Sequence, residues 1–520
     1  MKKIFTTLVA ALMLSAHVFA VSSKDVCGKF SGTLYIDWDE YPNRSVYLLP
    51  GAVENSVTFV LPDFTFGAGK LGNIVLPNIQ VNADGTLNLE PSTLYLDSIE
   101  LRASIRMLNN YEEGGETFNS VVSATQAEIT LEIAEPQTLP MPIIVYFSGE
   151  AVRNNNYALV NGGFEGAWTN NEPQGWHSFG SATGVMVDFV IENTFQFIQS
   201  TDVRPGTTGS HSALISSTLL LGVKANGNCT NGQINAGSMT ADDNTANYNF
   251  SDPANDGFNT PLQGRPDSIV FWAKYQPADR NAANEENRAR MSAIITTDDR
   301  YQDPEDADSY GDVKIATAVT NYAAAADFGW QRISVPFAYY PTNLNKKPAY
   351  ILTTFTTNKL PGGGSSYTEG SGRNKVNHLD SVYLDDVKLV YNNELARFTI
   401  NQDVLSFENK IANVDENYCD SCDAFNALGN GISSQTFIAF DAVHKCIFVY
   451  VIADDFAQSG KFQLYRVNFT DTDEEGLVDP SEGLETVNAE TAGFEKVFIN
   501  GQLIIRRGNE QYTITGKRIQ

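Results

Sequence analysis

The sequence predicts an all-β, multidomain protein. Short runs alternate apolar and polar residues along most of the chain, and Gly, Pro, Asn and Asp punctuate them at close intervals. Between residues 27 and 150 no helical period outlasts a turn or two. At 520 residues, the chain exceeds what one core organises and calls for three or four domains. Its 42% hydrophobic and 11% aromatic content is enough to fill them.

Residues 1–20 read as a secretory signal peptide: Lys2 and Lys3, then an apolar run from Ile4 to Leu14, then Val18-Phe19-Ala20 as a cleavage site. No second apolar run approaches membrane-spanning length, so the sequence predicts a secreted or cell-surface protein without a transmembrane segment. Cys27 follows a charged stretch, Ser23-Lys24-Asp25-Val26, which lacks the small apolar pattern of a lipidation site. The formal net charge of −27 opposes binding to nucleic acid or to an anionic membrane and suits a neutral ligand. Much of that charge falls in 298–312 and 471–485, read as solvated loops.

Strands recur in order. Residues 24–150 contain "FSGTLYIDW", "NSVTFVLPDF", "AEITLEIAE" and "MPIIVYFSGE", the spacing of a small antiparallel barrel or sandwich. A polar break at 153–158 precedes 156–393, where "SALISSTLLLGVKA", "PDSIVFWAKY", "WQRISVPFAYY" and "SVYLDDVKLVY" are strands divided by long loops. Residues 395–470 read as a small β-sandwich, 471–492 as an acidic linker and 493–520 as a hairpin-like tail.

The pieces "FSGTLYI", "VTFVLPDFTFGAGKLGNIVLPNIQV" and "NADGTL" resemble the calycin-like β-barrel domain of exported Bacteroidota proteins. "NGGFEGAW", "PQGWHSF", "RPDSIVFWAKYQP" and "SVYLDDVKLVY" resemble the family known as the putative carbohydrate metabolism domain. The second resemblance implies a jelly roll similar to carbohydrate-binding modules. The tail resembles a C-terminal segment read as a sorting or anchoring signal, implying cell-surface association. Fold alone establishes no activity.

In such jelly rolls the first and last strands lie close, which would bring Glu165 toward Asp385 or Asp386. Carboxylates converging with backbone carbonyls form an oxygen-rich site suited to structural calcium. The competing reading has Glu165 in solvent and the Asp pair capping a strand. "DADSYGD" (306–312) fails as an EF-hand loop at its fifth and twelfth positions, Tyr310 and Thr317. "DTDEEGLVDPSE" (471–482) carries acids at the right positions, but a strand leads into it and Pro480 breaks its exit.

Sugars rest on aromatic faces while amides and carboxylates bond their hydroxyls. Trp168 and Trp176 flank a loop with Asn170, Asn171 and Glu172 and are the candidate rings, although Trp176 could equally plug the end of the fold. Tyr339, Tyr340 and the loop 360–374 are further candidates. Trp272, inside "SIVFWAKY", reads as core. No G-x-S-x-G, H-E-x-x-H or phosphate loop is present, although a two-carboxylate enzyme would leave no motif. In "NYCDSCDAF" and "VHKCIFVY", Cys446 is expected to pair with Cys419 or Cys422, with zinc at these cysteines and His444 the lesser reading. The function expected is therefore non-catalytic glycan binding, with a glycoside hydrolase and a structural or adhesion protein as alternatives.

Overall fold

A computed structural model describes residues 21–480, except 67–68, 90, 96–101, 135–140, 154–155, 192–196, 221, 281–286, 307 and 416–424. Beyond these it describes the backbone of 494–499, 502–507, 510–513 and 518–519. The signal-peptide reading of 1–20 lies outside the described residues. The architecture is all-β and multi-sheet, and the longest α-helix among the described residues is Val187–Ile191. No described helix is long and apolar enough to cross a membrane.

The chain divides into two compact units. One combines Met1–Arg153, Asn393–Asn430 and Ser434–Gln520; the other combines Asn154–Asn392 with Gly431–Ser433. The first unit is built on a curled, half-barrel sheet of ten strands. At its centre, Gly28–Ile36 runs antiparallel to both Asp39–Pro50 and Ile143–Ala151. The inner face buries Phe30, Leu34, Val46, Leu48, Phe59 and Phe147. Strands Asp39–Pro50, Ser56–Phe66 and Gly69–Val81 are buried on the other face as well over 46–49, 56–61 and 74–76. There Tyr47, Leu49, Val60 and Val75 pack against Phe437, Phe448 and Tyr450 of the returning chain. Because the strand is covered on both sides, every residue of "VTFVL" is buried, the polar Thr58 included. Thr58 Oγ1 and Tyr450 Oη hydrogen-bond at 2.8 Å across this layer, and Asn78 Nδ2 donates to Asp441 Oδ2 at 2.6 Å.

The described residues of 395–430 and 434–469 thus belong to one unit with the first sheet. Their own sheet orders Ile411–Asn413, Phe462–Asn468, Cys446–Ile452 and Gln435–Asp441, the first pair parallel. Cys446 is a free, buried thiol, which corrects the expected disulfide. Its side chain lies in the apolar layer beside Phe448 and Tyr450, where burial and then the nearby Asp441 push its pKa up to about 12. Cys419 and Cys422 lie outside the described residues. The acidic stretch after residue 470 docks by charge: Lys445 Nζ meets Asp471 Oδ2 at 2.6 Å and Arg466 meets Glu474 Oε2 at 3.1 Å. The tail strands Phe494–Ile499, Gln502–Arg507, Glu510–Thr513 and Arg518–Ile519 form an antiparallel meander.

The second unit is a β-sandwich. We number its principal strands β1 Phe197–Ser200, β2 Ser212–Ser216, β3 Asn228–Thr230, β4 Gln233–Ala236, β5 Asn247–Ser251, β6 Ser268–Gln276 and β7 Ala289–Thr296. They continue as β8 Tyr301–Asp303, β9 Lys314–Tyr322, β10 Gln331–Pro336, β11 Ala338–Tyr339, β12 Tyr350–Thr356 and β13 Ser381–Val390. One five-stranded sheet has the order β1-β2-β13-β6-β10, the other β3-β12-β7-β9-β11, and β4-β5-β8 form a third. Ile269, Phe271, Ala273 and Tyr275 of β6 meet Met291, Ala293, Ile295 and Phe355 in the core. The alternation in "SIVFWAKY" therefore points Phe271 inward and Trp272 outward, beneath the Arg204 guanidinium at 5.2 Å. Trp272 is not a core residue.

Candidate functional site

The segment 161–176 is organised by its asparagine and glycines. Asn161 Oδ1 accepts from the Gly166 N–H at 2.8 Å, and its Nδ2 donates to Gln174 O at 3.1 Å. A Cβ on Gly162 would stand 1.9 Å from Val387 O, so only glycine allows the close approach through which Val387 N–H bonds Gly162 O at 2.8 Å. Phe164 takes a left-handed φ of 58° and is fully buried against Trp176. The opening segment and β13 thus meet.

Each carboxylate near this meeting has its own donors. Glu165 accepts from the backbone N–H of Ser210 and of His211, each at 2.8 Å, and from Ser210 Oγ at 3.1 Å. Burial works against its charge, but the His211 and Ser210 donors hold its pKa below the ordinary value. Asp386 is ion-paired with Arg204. It sits at φ 48° within a β-bulge, where the pairing of β13 with β6 slips between Val270 and Trp272. The bulge separates the two aspartates: Asp386 is half-exposed on Arg204, whereas Asp385 is buried and accepts from the Arg204 backbone N–H at 3.2 Å. Burial first, and the charge of Asp386 after it, raise the Asp385 pKa to about 6. A Cβ on Gly163 would lie 3.5 Å from Asp386 Oδ1 and 3.9 Å from Glu165 Cγ, so these two side chains flank one glycine. Among the described residues no three His, Cys, Asp or Glu side chains are grouped to hold a metal ion. A cation here would also have to displace Arg204, so the side chains as placed do not form a calcium cage.

The ring candidates fare differently. Trp176 is 0% exposed, packs on Phe164 and Phe355 and donates from Nε1 to Val160 O at 3.0 Å. It is a core residue and offers no face to a sugar, which corrects that expectation. Trp168 is half-buried against Phe197, with Nε1 donating to Phe164 O at 3.1 Å. Tyr339 packs beside Phe337 and donates to Pro266 O at 2.8 Å, while Tyr340 lies under Lys314 Nζ at 5.6 Å. Glu172, in the loop between the tryptophans, accepts from Ser178 N–H at 2.7 Å and from Ser181 N–H at 3.1 Å, which makes it the loop's internal anchor.

A cavity lies elsewhere in this unit, on the outer face of the second sheet. It has a volume of about 380 Å³, within the range of small-molecule sites. Strand register builds its floor: Asn228 of β3 is opposite Thr356 of β12, which is opposite Arg290 of β7. These alternate with core residues Cys229, Phe355 and Met291, so all three face outward. The third sheet supplies a wall, where Asn249 pairs in register with Asp303 on one side and Ile234 on the other. Asn226, Asn235 and Asn358 add amides, while Phe179, Met186, Leu220, Met239 and Leu360 line it with apolar surface.

The lining includes one carboxylate, Asp303, and it is occupied. Arg290 holds it through two bonds of 2.9 and 3.0 Å, and Ser292 Oγ donates at 2.6 Å. Asp303 was expected in a solvated acidic loop, yet it is buried. Asp380 lies behind Asn358 but does not line the cavity; it is fully buried and accepts from Ala278 N–H, Ser365 N–H and Ser365 Oγ at 2.6–2.8 Å. Asn228 differs from these. Its Nδ2 donates to Asn249 Oδ1 at 3.0 Å, but its buried Oδ1 has no hydrogen-bond partner among the described residues. Of the cleft, sequence reasoning reached only Leu360, Pro361 and Gly362, within the loop 360–374.

No family profile matches the chain, and no curated protein sequence does. Solved structures are similar at low identity. A "putative glycoside hydrolase" from Bacteroides thetaiotaomicron is 13% identical over 60% of this chain and 88% of that one, with a TM-score of 0.33. Another so described from Bacteroides vulgatus is 17% identical over 38% and 77%, with a TM-score of 0.26. A cyclase from Fischerella is 12% identical over 44% and 94%, with a TM-score of 0.23. Scores this low transfer neither a site nor an activity to this chain.

Proposed function

We propose that the protein is an exported, non-catalytic glycan-binding protein and that the amide-lined cleft of its second unit holds the sugar. The observation that carries this reading is the composition of the cleft. Amides that can donate and accept share it with apolar walls, and its one carboxylate is neutralised by Arg290. Glycoside hydrolysis needs two carboxyl groups flanking the bond, one of them able to deliver a proton. Asp303, saturated by Arg290 and Ser292, has no such partner in the lining.

The first unit serves in this reading as a scaffold related to the calycin-like barrels, with the tail associating with the cell surface. Structural calcium at Glu165, Asp385 and Asp386 would require Arg204 to release Asp386. A chelator that lowers the melting temperature of the protein, with calcium restoring it, would support that ion; an unchanged melt would remove it.

The functional test is a glycan array on the full chain, run beside an assay for reducing-sugar release. Binding without release is the expected result. Release of reducing sugar would replace this reading with the hydrolase, and binding to no glycan would end it.

A further inference from the structure

We propose that the cleft selects sugars bearing an acetamido group over the corresponding hydroxyl sugars; this rests on the reading of the cleft as a glycan site. The inference comes from how its polar and apolar parts are interleaved. Asn249 and Ile234 are cross-strand partners, so an amide and an aliphatic side chain stand next to one another on the same face. Leu220 and Ala236 form a small apolar cluster with Phe179 and Met186, and all four line the cavity. Leu360 and Met239 add apolar surface that is 54% and 36% exposed.

A plain hexose carries hydroxyls around its ring and would press one or more of them against this wall, losing hydrogen bonds to water. An acetamido group divides as the cleft does. Its methyl suits the wall of Phe179, Met186 and Leu220, while its N–H and C=O suit the side-chain amides. Asn228 gives the pairing a direction: it already donates to Asn249, so what it lacks is a donor to its Oδ1. An acetamido N–H is such a donor, and an acceptor left unpaired in a buried setting discriminates strongly between ligands that do and do not supply one.

Charge excludes the third member of the series, the free amino sugar. Lys224, Arg290 and Lys359 line the cleft against Asp303 alone. Lys224 is fixed there, donating from Nζ to Gly364 O at 2.7 Å and Ser365 O at 3.2 Å. An ammonium group would meet this cationic lining, whereas a neutral amide does not.

The test is saturation-transfer NMR on the full chain with three sets of methyl glycosides. These are N-acetylglucosamine and N-acetylgalactosamine, then glucose and galactose, then glucosamine and galactosamine. The acetamido sugars are expected to bind at least tenfold more tightly than the hexoses, with the strongest saturation on the acetyl methyl, and the amines most weakly. Asn228→Ala should reduce the preference by about tenfold. Leu360→Ser, at an exposed position that leaves the fold intact, should weaken acetamido binding by about threefold. Equal binding of hexose and acetamido sugar would overturn the inference while leaving the cleft a glycan site. Sugar binding insensitive to both variants would overturn the placement of the site. Binding of no sugar here or on the array would overturn both readings.

Discussion

The carboxylate cluster under 161–176 and the amide-lined cleft both collect polar groups from distant parts of the second unit. They differ in saturation. Around Glu165, Glu172 and Asp386 the charged oxygens have neighbours that donate to them: Ser210 and His211, Ser178 and Ser181, and Arg204. In the cleft, open volume adjoins Asn228, whose buried acceptor has no partner among the described residues. A saturated polar cluster holds a fold together, and an unsaturated one beside a cavity is equipped to hold a ligand.

That comparison can be broken first at Trp176. Trp176→Ala removes a fully buried ring and should cost about 3–5 kcal/mol of stability, read as a fall in urea midpoint. A small effect would mean that the ring is not core. Next is Asp385, whose pKa is raised to about 6 in the folded chain by burial. A carboxyl raised above its unfolded value of about 4 stabilises the fold below that pH, and the contribution is lost as pH rises through 6. Asp385→Asn should therefore gain about 2 kcal/mol at pH 8 relative to pH 4, measured by unfolding at both. A pH-independent difference would remove the burial argument.

Glu165 has the opposite sign. Its donors hold its pKa below normal, so its contribution is present above its unfolded pKa and fades as pH falls through the folded one. Because its side chain is 39% exposed, Glu165→Gln should cost only about 0.5–1 kcal/mol at neutral pH. A much larger loss would indicate a site that this packing does not contain. The smallest effect concerns Cys446: thiol reagents should label it only after unfolding, and rapid labelling of the native chain at this position would contradict its burial.

The strands were legible because alternation and turn residues are local signals, and so was the approach of "NGGF" to "LDDV". The bulge at Asp386 was not legible, because nothing in "LDDV" says which of two aspartates will face inward. Trp272 and Trp176 show the same limit. An apolar ring in a strand belongs to one face or the other, and the choice depends on register and on what covers each face. The cleft was hardest to see. Asn228, Thr356 and Arg290 are scattered in sequence and become neighbours only through the pairing of three strands.

The most direct test of the central claim is a side-by-side binding measurement on Asn228→Ala and Trp168→Ala against the unaltered chain, using the glycans that the array identifies. The expected result is binding lost or reduced at least tenfold in Asn228→Ala and retained in Trp168→Ala, with both variants folded by melting. Loss in Trp168→Ala with normal binding in Asn228→Ala would contradict the account and move the sugar to the loop between the tryptophans.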